Sequence, residues 1–326
     1  MHSMRWKVDA IQGRAIQCRS IQARISQNRS TDFFLLKGIV AMKRIVQKGA
    51  SGIVWRLLCF CALILQSSLL LGDSSATAHY LANEGVMVVH GDTKVVFDPL
   101  FNNDYGRYQL LPENMKQALY SGEAPYNDID AVFVSHSHQD HFSPLDMLKL
   151  MRLRQGIVLY APAQAVDELK ASAPDDAIFK RVTGLQLAYG DKPVVYKAND
   201  LIIEAVYIPH SGWPERMLDV QNIAFRITLQ NSTTVLHLGD ADTKDAHYEG
   251  DAEYWNEREI DMAFPPYWYF SSKNGQHVLE NRLRPGHAVG IHVPTAMPAK
   301  VQDRPEDFRD RDLFTTPGEI RVIDKH

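Results

Sequence analysis

Cysteine is scarce in this 326-residue chain: Cys18, Cys59 and Cys61 are the only three, and none lies beyond residue 61. The long remainder therefore has neither a disulfide nor a thiolate ligand, and any metal it binds is held by His and carboxylate. Positive charge is also thin there. Of the 35 Lys and Arg, 11 precede residue 79, against 3 of the 39 Asp and Glu, which leaves 24 basic and 36 acidic residues beyond that point. Such a balance excludes a phosphate-backbone partner, because nucleic acid needs clustered positive charge. A hydrophobic content of 45% is enough to bury a sizeable core.

The beginning of the chain differs from the rest. Residues 1–41 carry the repeats Ile11-Gln12-Gly13-Arg14, Ile16-Gln17-Cys18-Arg19 and Ile21-Gln22-Ala23-Arg24, with Arg29 continuing the five-residue spacing. That period matches neither a helix nor a strand, so a disordered or non-native extension is expected. Residues 42–78 read as a secretory signal. Lys43, Arg44, Lys48 and Arg56 precede an apolar run from Leu57 to Leu71, and Ser75-Ala76-Thr77-Ala78 supplies small residues for cleavage after Ala78. The expected product is periplasmic or secreted and has no membrane span. The alternative is an N-terminal anchor, since Ile53 to Leu71 is nearly long enough to cross a bilayer.

Residues 79–326 read as one domain. Val86–His90 and Lys94–Asp98 flank Gly91-Asp92-Thr93 as a hairpin. The segments 111–120, 144–153 and 163–171 have helical patterns, interleaved with strands at 131–134 and 157–160. Four strands follow as a meander at 194–196, 201–208, 223–229 and 233–238, then a strand at 261–264, a helix at 276–283 and a strand at 289–293. Two facing sheets with helices outside would use all of these in one core.

Directly after the apolar strand ending at Val134 comes Ser135-His136-Ser137-His138-Gln139-Asp140-His141. Imidazoles crowded this closely repel one another when protonated and gain little by packing, so a metal is the economical reason for their company. Strand, His-x-His-x-Asp-His and helix in succession resemble the signature loop of the metallo-β-lactamase superfamily. Four later or earlier positions fit the same pattern: Asp98 ending Val95-Val96-Phe97, His210 after Ile208-Pro209, Asp240 after Leu238-Gly239, and His292 in Gly290-Ile291-His292-Val293.

The resemblance implies an α/β fold, a four-layer αββα sandwich of two mixed sheets with helices on both outer faces. It implies a first ion on His136, His138 and His210 and a second on Asp140, His141 and His292. Asp240 would bridge them, and Asp98 would orient a ligand His. Asp140 and Asp240 would also carry catalysis, with a hydroxide held between the ions. Zinc is the expected metal, and manganese or iron suit the same donors. His90, His237, His247, His277 and His287 have no slot in the pattern, although His237 lies close to Asp240 in sequence.

The expected function is hydrolysis of a small-molecule phosphodiester, lactone or related ester, as in the compact branch with the ascorbate-phosphate lactonases. A β-lactamase is a poorer match, because the lactamases proper lack a bridging Asp. A non-catalytic binding protein and a di-iron redox protein complete the alternatives. The aromatic stretches 101–126 and 264–270 suggest a lid and an apolar wall, with Tyr105, Trp213, Tyr267 and Trp268 as pocket residues and Arg216 as an anion contact.

Overall fold

The computed structural model describes residues 75–174 and 176–326. The predicted extension and all but the last four residues of the predicted secretory segment lie outside them. Among the described residues no helix is long and apolar enough to cross a membrane.

The chain builds two mixed sheets. The first has seven strands in the order β13-β1-β2-β3-β4-β5-β6: β1 (Ala76–Ala82), β2 (Gly85–His90), β3 (Thr93–Phe97), β4 (Ala131–Phe133), β5 (Val158–Pro162), β6 (Val182–Leu185) and β13 (Ile320–Ile323). The second has six in the order β12-β11-β10-β9-β8-β7: β7 (Val194–Ala198), β8 (Leu201–Tyr207), β9 (Ile223–Leu229), β10 (Thr233–His237), β11 (Met262–Phe264) and β12 (His287–Ala288).

Period-two alternation sorts the side chains into layers. Val86, Val88, Val95 and Phe97 face Ile203, Phe225, Ile227 and Phe264 between the sheets. Met87 and Val96 point the other way, onto helices α1 (Glu113–Ser121), α2 (Pro144–Leu153) and α3 (Ala163–Ser172), which bury Leu119, Leu148 and Leu169. Short helical segments between residues 246 and 283 cover the second sheet with Tyr248, Trp255, Tyr269 and Leu279. The expected αββα sandwich is the observed one.

Two boundaries bear on the expectations. Strand β1 crosses the expected cleavage point: Ala76, Thr77 and Ala78 pair with Ile323, Val322 and Arg321, and Ala78 is fully buried. These small residues are strand residues that pack in the core, and a cut after Ala78 would remove them. Near the other end, the expected strand 289–293 is shorter and earlier, because regular pairing stops at Ala288 and only isolated bridges at Gly290 and Ile291 continue it. His292 is thus on a backbone that has left the sheet, with φ of 56°.

Candidate metal centre

One edge of the sandwich collects the chemistry. Strands β3 and β4 run parallel in one sheet. In the other, β8 and β10 are each antiparallel to β9 and so point the same way, with β11 parallel to β10. Their C-terminal ends deliver Asp98, the loop His136–His141, His210 and Asp240 to this edge, where His292 joins them.

The structure brings all seven anticipated ligands together in two groups. Nitrogen or oxygen atoms of His136, His138, His210 and Asp240 lie within 4.8 Å of one another, as do those of His141, Asp240, His292 and Glu84. Asp140 adjoins the second group, with Oδ2 3.3 Å from His292 Nε2 and 3.7 Å from His141 Nε2. Asp240 straddles the two groups: Oδ2 is 3.2 Å from His210 Nε2, and Oδ1 is 3.2 Å from His292 Nε2.

The fit to metal ions follows from what these atoms lack. His141 Nε2, His210 Nε2, His292 Nε2 and Asp240 Oδ1 are all buried without a hydrogen-bond partner among the described residues. Buried polar atoms are otherwise satisfied in folded proteins, so several orphans converging on one place mark a site for a ligand. Their ring partners fix the tautomers. His210 Nδ1 donates to the Ser211 carbonyl at 2.9 Å, and His141 Nδ1 to Asp98 Oδ2 at 3.1 Å, so Nε2 of each ring is left free to bind. Asp98 also accepts from the Ser135 backbone at 2.7 Å, which ties the expected orienting carboxylate to the start of the signature loop.

Electrostatics agree with this arrangement. Burial and the neighbouring His141 hold His136 well below its ordinary range. Burial alone would lower His292 as well, but Asp240 and Asp140 outweigh it and raise that imidazole to about 9. Burial opposes the Asp240 charge, and His292, His141 and His210 more than compensate, keeping the carboxyl well below its usual range. Cations and carboxylates here depend on each other, which is the balance that divalent ions would take over.

Two positioning devices were not visible in the sequence. Asn222, fully buried, donates from Nδ2 to the carbonyls of Ile208 and Leu238, both at 3.1 Å, and accepts the Asp240 backbone N–H at 3.0 Å. It clamps the His210 and Asp240 loops to each other. Gly239, at φ +54°, is the second: a Cβ there would come within 2.4 Å of Asn222 Oδ1 and 2.6 Å of Ser135 Cβ. Only glycine lets the Asp240 loop approach the His136 loop this closely.

The anticipated pocket residues divide. Trp268 stands edge-on to His292 with ring centroids 5.4 Å apart, and Tyr108 does the same at 4.0 Å. Tyr267 accepts a 2.7 Å hydrogen bond from Arg107, which joins the 101–111 loop to the segment after β11. Tyr105 is 57% exposed on that loop, whose Asn103 bonds Gln139 of the signature loop. Trp213 sits beside His210 in sequence but packs on Tyr189 and His247. Arg216 is exposed, folds over Gly212, and makes no ion pair among the described residues. The Tyr120 hydroxyl donates to Asp146 between α1 and α2.

His237 does not face the candidate ions. Its ring stacks on Phe97, and Nε2 donates to the Glu84 carbonyl at 3.0 Å. Glu84 is the residue that sequence reading missed. It lies in the β1–β2 turn, is fully buried, and is pushed well above the carboxylate range by burial and by Asp240, Asp98 and Asp140.

A two-group cluster of His and carboxylate on the loops at one edge of an αββα sandwich defines the scaffold of a metallo-hydrolase. Residues 93–292 match the family described as "Beta-lactamase superfamily domain", and the chain belongs to the metallo-β-lactamase superfamily. No curated protein matches it. Among solved structures, it is similar to Igni18, a metallo hydrolase of Ignicoccus hospitalis KIN4/I, at 16% identity over 78% of this chain and 100% of that one, with a TM-score of 0.50. It is also similar to a possible metal-dependent hydrolase of Veillonella parvula DSM 2008, at 14% identity over 76% of this chain and 100% of that one, with a TM-score of 0.53. These likenesses support the shared fold.

Proposed function

We propose that this protein is a dinuclear metal hydrolase of small-molecule esters, a phosphodiester or lactone foremost. The observation that carries the reading is the Asp240 carboxylate, with one oxygen 3.2 Å from His210 and the other 3.2 Å from His292. His136, His138 and His210 would hold the first ion and Asp140, His141 and His292 the second, with zinc the expected metal. When bound, such a pair supplies a water acidic enough to attack at neutral pH and polarises the oxygen of the bond attacked.

The chain's own groups do the rest. Asp98 and the Ser211 carbonyl hold the ligand rings in one tautomer and orientation. Asn222 ties the His210 and Asp240 loops to each other, so that Asp240 stays beside both groups. Tyr108 and Trp268 form an apolar wall beside His292, suited to a substrate with a hydrophobic portion.

Elemental analysis of protein purified without added metal, next to His136→Ala, tests the reading. About two ions per chain, fewer in the variant, together with turnover of a phosphodiester or lactone, are expected. A folded protein that takes up no metal on reconstitution would end it.

The basic, apolar and small-residue order of residues 42–78 supports export from the cytoplasm. Because β1 begins at Ala76, the cut fits better after Ser74, where Gly72 and Ser74 put small residues at the required positions and the strand stays whole. Mass spectrometry of exported protein should then find Ser75 first, and a start upstream of Ile53 would point to an anchor instead.

A further inference from the structure

The turn between β1 and β2 has only two residues between its last pair, Ala82 and Gly85. Hairpin turns this short normally stand in water, where their polar groups are solvated. Here Asn83 and Glu84 are both fully buried. Asn83 is anchored on two sides, since its Nδ2 donates to the Asp140 carbonyl at 2.9 Å and its own carbonyl accepts from His292 N at 2.9 Å, while its Oδ1 has no hydrogen-bond partner among the described residues. The turn is thereby stitched to both ends of the second metal group.

Glu84 is not accounted for by the protein alone. No N–H group among the described residues donates to either carboxylate oxygen, and the side chain that closes on it is the Asp240 carboxyl. The groups within ion-pair distance are His141 Nδ1 at 3.5 Å, already bonded to Asp98, and His237 Nε2 at 3.9 Å, already bonded to the Glu84 carbonyl. No Lys or Arg among the described residues pairs with it. A buried carboxylate charge without a cation is costly, so the side chain either holds a proton or meets a cation. A Glu84 oxygen lies within 4.8 Å of ligand atoms of His141, Asp240 and His292, and likewise of Asp98 and His237. His237 and Asp98 are already bonded within the protein, so the set of His141, Asp240 and His292 is the one open to an ion.

We propose that Glu84 is an additional ligand of the second ion, a third carboxylate beside Asp140 and Asp240, and that it biases this site toward harder ions than the first. The inference rests on the dinuclear reading above. Under it the two sites differ in kind. The first offers three imidazoles and one shared carboxylate, a set that suits zinc. The second offers two imidazoles and three carboxylates, a set that favours manganese or ferrous iron more than the first does.

The experiment uses the full chain stripped of metal by a chelator, as wild type, Glu84→Gln and Glu84→Ala. Each is titrated separately with Mn²⁺ and with Zn²⁺, the bound metal is counted by elemental analysis, and melting is followed with and without metal. Wild type should take two ions. Both variants should bind the first ion as wild type does and the second about 10–100-fold more weakly, Mn²⁺ losing more than Zn²⁺. Without metal the variants should melt no lower than wild type, because a buried acid without a partner has been removed. With metal, their gain in melting temperature should be smaller.

Two ions bound by both variants with wild-type affinity and preference would overturn the assignment of Glu84 and leave the hydrolase reading standing. Metal-free variants that fail to fold where wild type folds would overturn it too, since the carboxylate would then serve the fold. A wild type that binds no metal at all would overturn both readings together.

Discussion

Two glutamates are buried in the described fold, and they are handled in opposite ways. Glu204 on β8 is paired across the strands with Arg226 on β9, which donates to it from Nε at 2.8 Å and from Nη2 at 2.7 Å, and Arg258 adds a third contact at 3.2 Å. Arg226 is itself fully buried and stacks its guanidinium on the Tyr254 ring at 3.9 Å. Glu84 has no such partner. A charge that comes with its own counter-ion, held bidentate, is part of the fold. One left open beside buried imidazole nitrogens that lack hydrogen-bond partners is, on the proposal above, part of a cation site. The contrast separates residues whose removal costs stability from residues whose removal costs metal.

The sharpest way to test that separation is to remove the satisfied pair. Arg226→Ala leaves the buried Glu204 with Arg258 as its remaining cation and should cost about 3 kcal/mol of unfolding free energy, measured by denaturant titration. Metal bound per folded chain should stay at the wild-type value. A loss of metal without a loss of stability would erase the distinction. Asn222→Ala comes next and bridges the two classes. It leaves the Ile208 and Leu238 carbonyls and the Asp240 N–H unsatisfied, so about 2–3 kcal/mol of destabilisation is expected, with weaker binding at both ions because Asp240 loses its anchor. Unchanged metal affinity in that variant would show that Gly239 and the strand ends fix the loop unaided.

How much of this was legible from sequence follows the same divide between local and distant. The signature loop packs its donors into six consecutive positions, His136 to His141, after an apolar strand, and such a pattern survives without any knowledge of topology. The layer order was legible too, since the alternation of β2, β3, β8 and β9 marks which side chains point between the sheets. Glu84 was hidden because β1 was read as the end of a secretory segment. With β1 unseen, Asn83-Glu84 could not be recognised as a turn, nor as a turn buried beside Asp98. Its one signal was the polar pair Asn83-Glu84 inside the otherwise apolar stretch from Tyr80 to Val89. Asn222 gave even less warning, because its role depends on two loops that meet only in three dimensions.

Smaller effects sharpen the picture around the second ion. Asp98→Asn keeps the shape of the side chain but removes the charge that accepts His141 Nδ1 at 3.1 Å. Binding of the second ion should weaken about 10–100-fold, the cost typical of losing a ligand's hydrogen-bonded support, while the first ion is unaffected. Equal weakening at both ions, read by the same metal titration, would mean that Asp98 acts through Ser135 on the whole loop and not on one ring.

The smallest effect belongs to the aromatic wall, because Trp268 touches His292 only through ring contact and holds no ligand by a hydrogen bond. Trp268→Ala should leave metal content and kcat close to wild type and raise KM about fivefold for an ester carrying an apolar group. For a small polar ester, which has nothing to lay against the indole, KM should barely change. The comparison of the two substrates matters more than either value. A ring that only supports His292 would disturb both substrates alike and lower kcat, whereas a ring that binds substrate discriminates between them. If Trp268→Ala turns over every accepted substrate as wild type does, the wall lies elsewhere, and Tyr108, 4.0 Å from His292, is the next ring to remove.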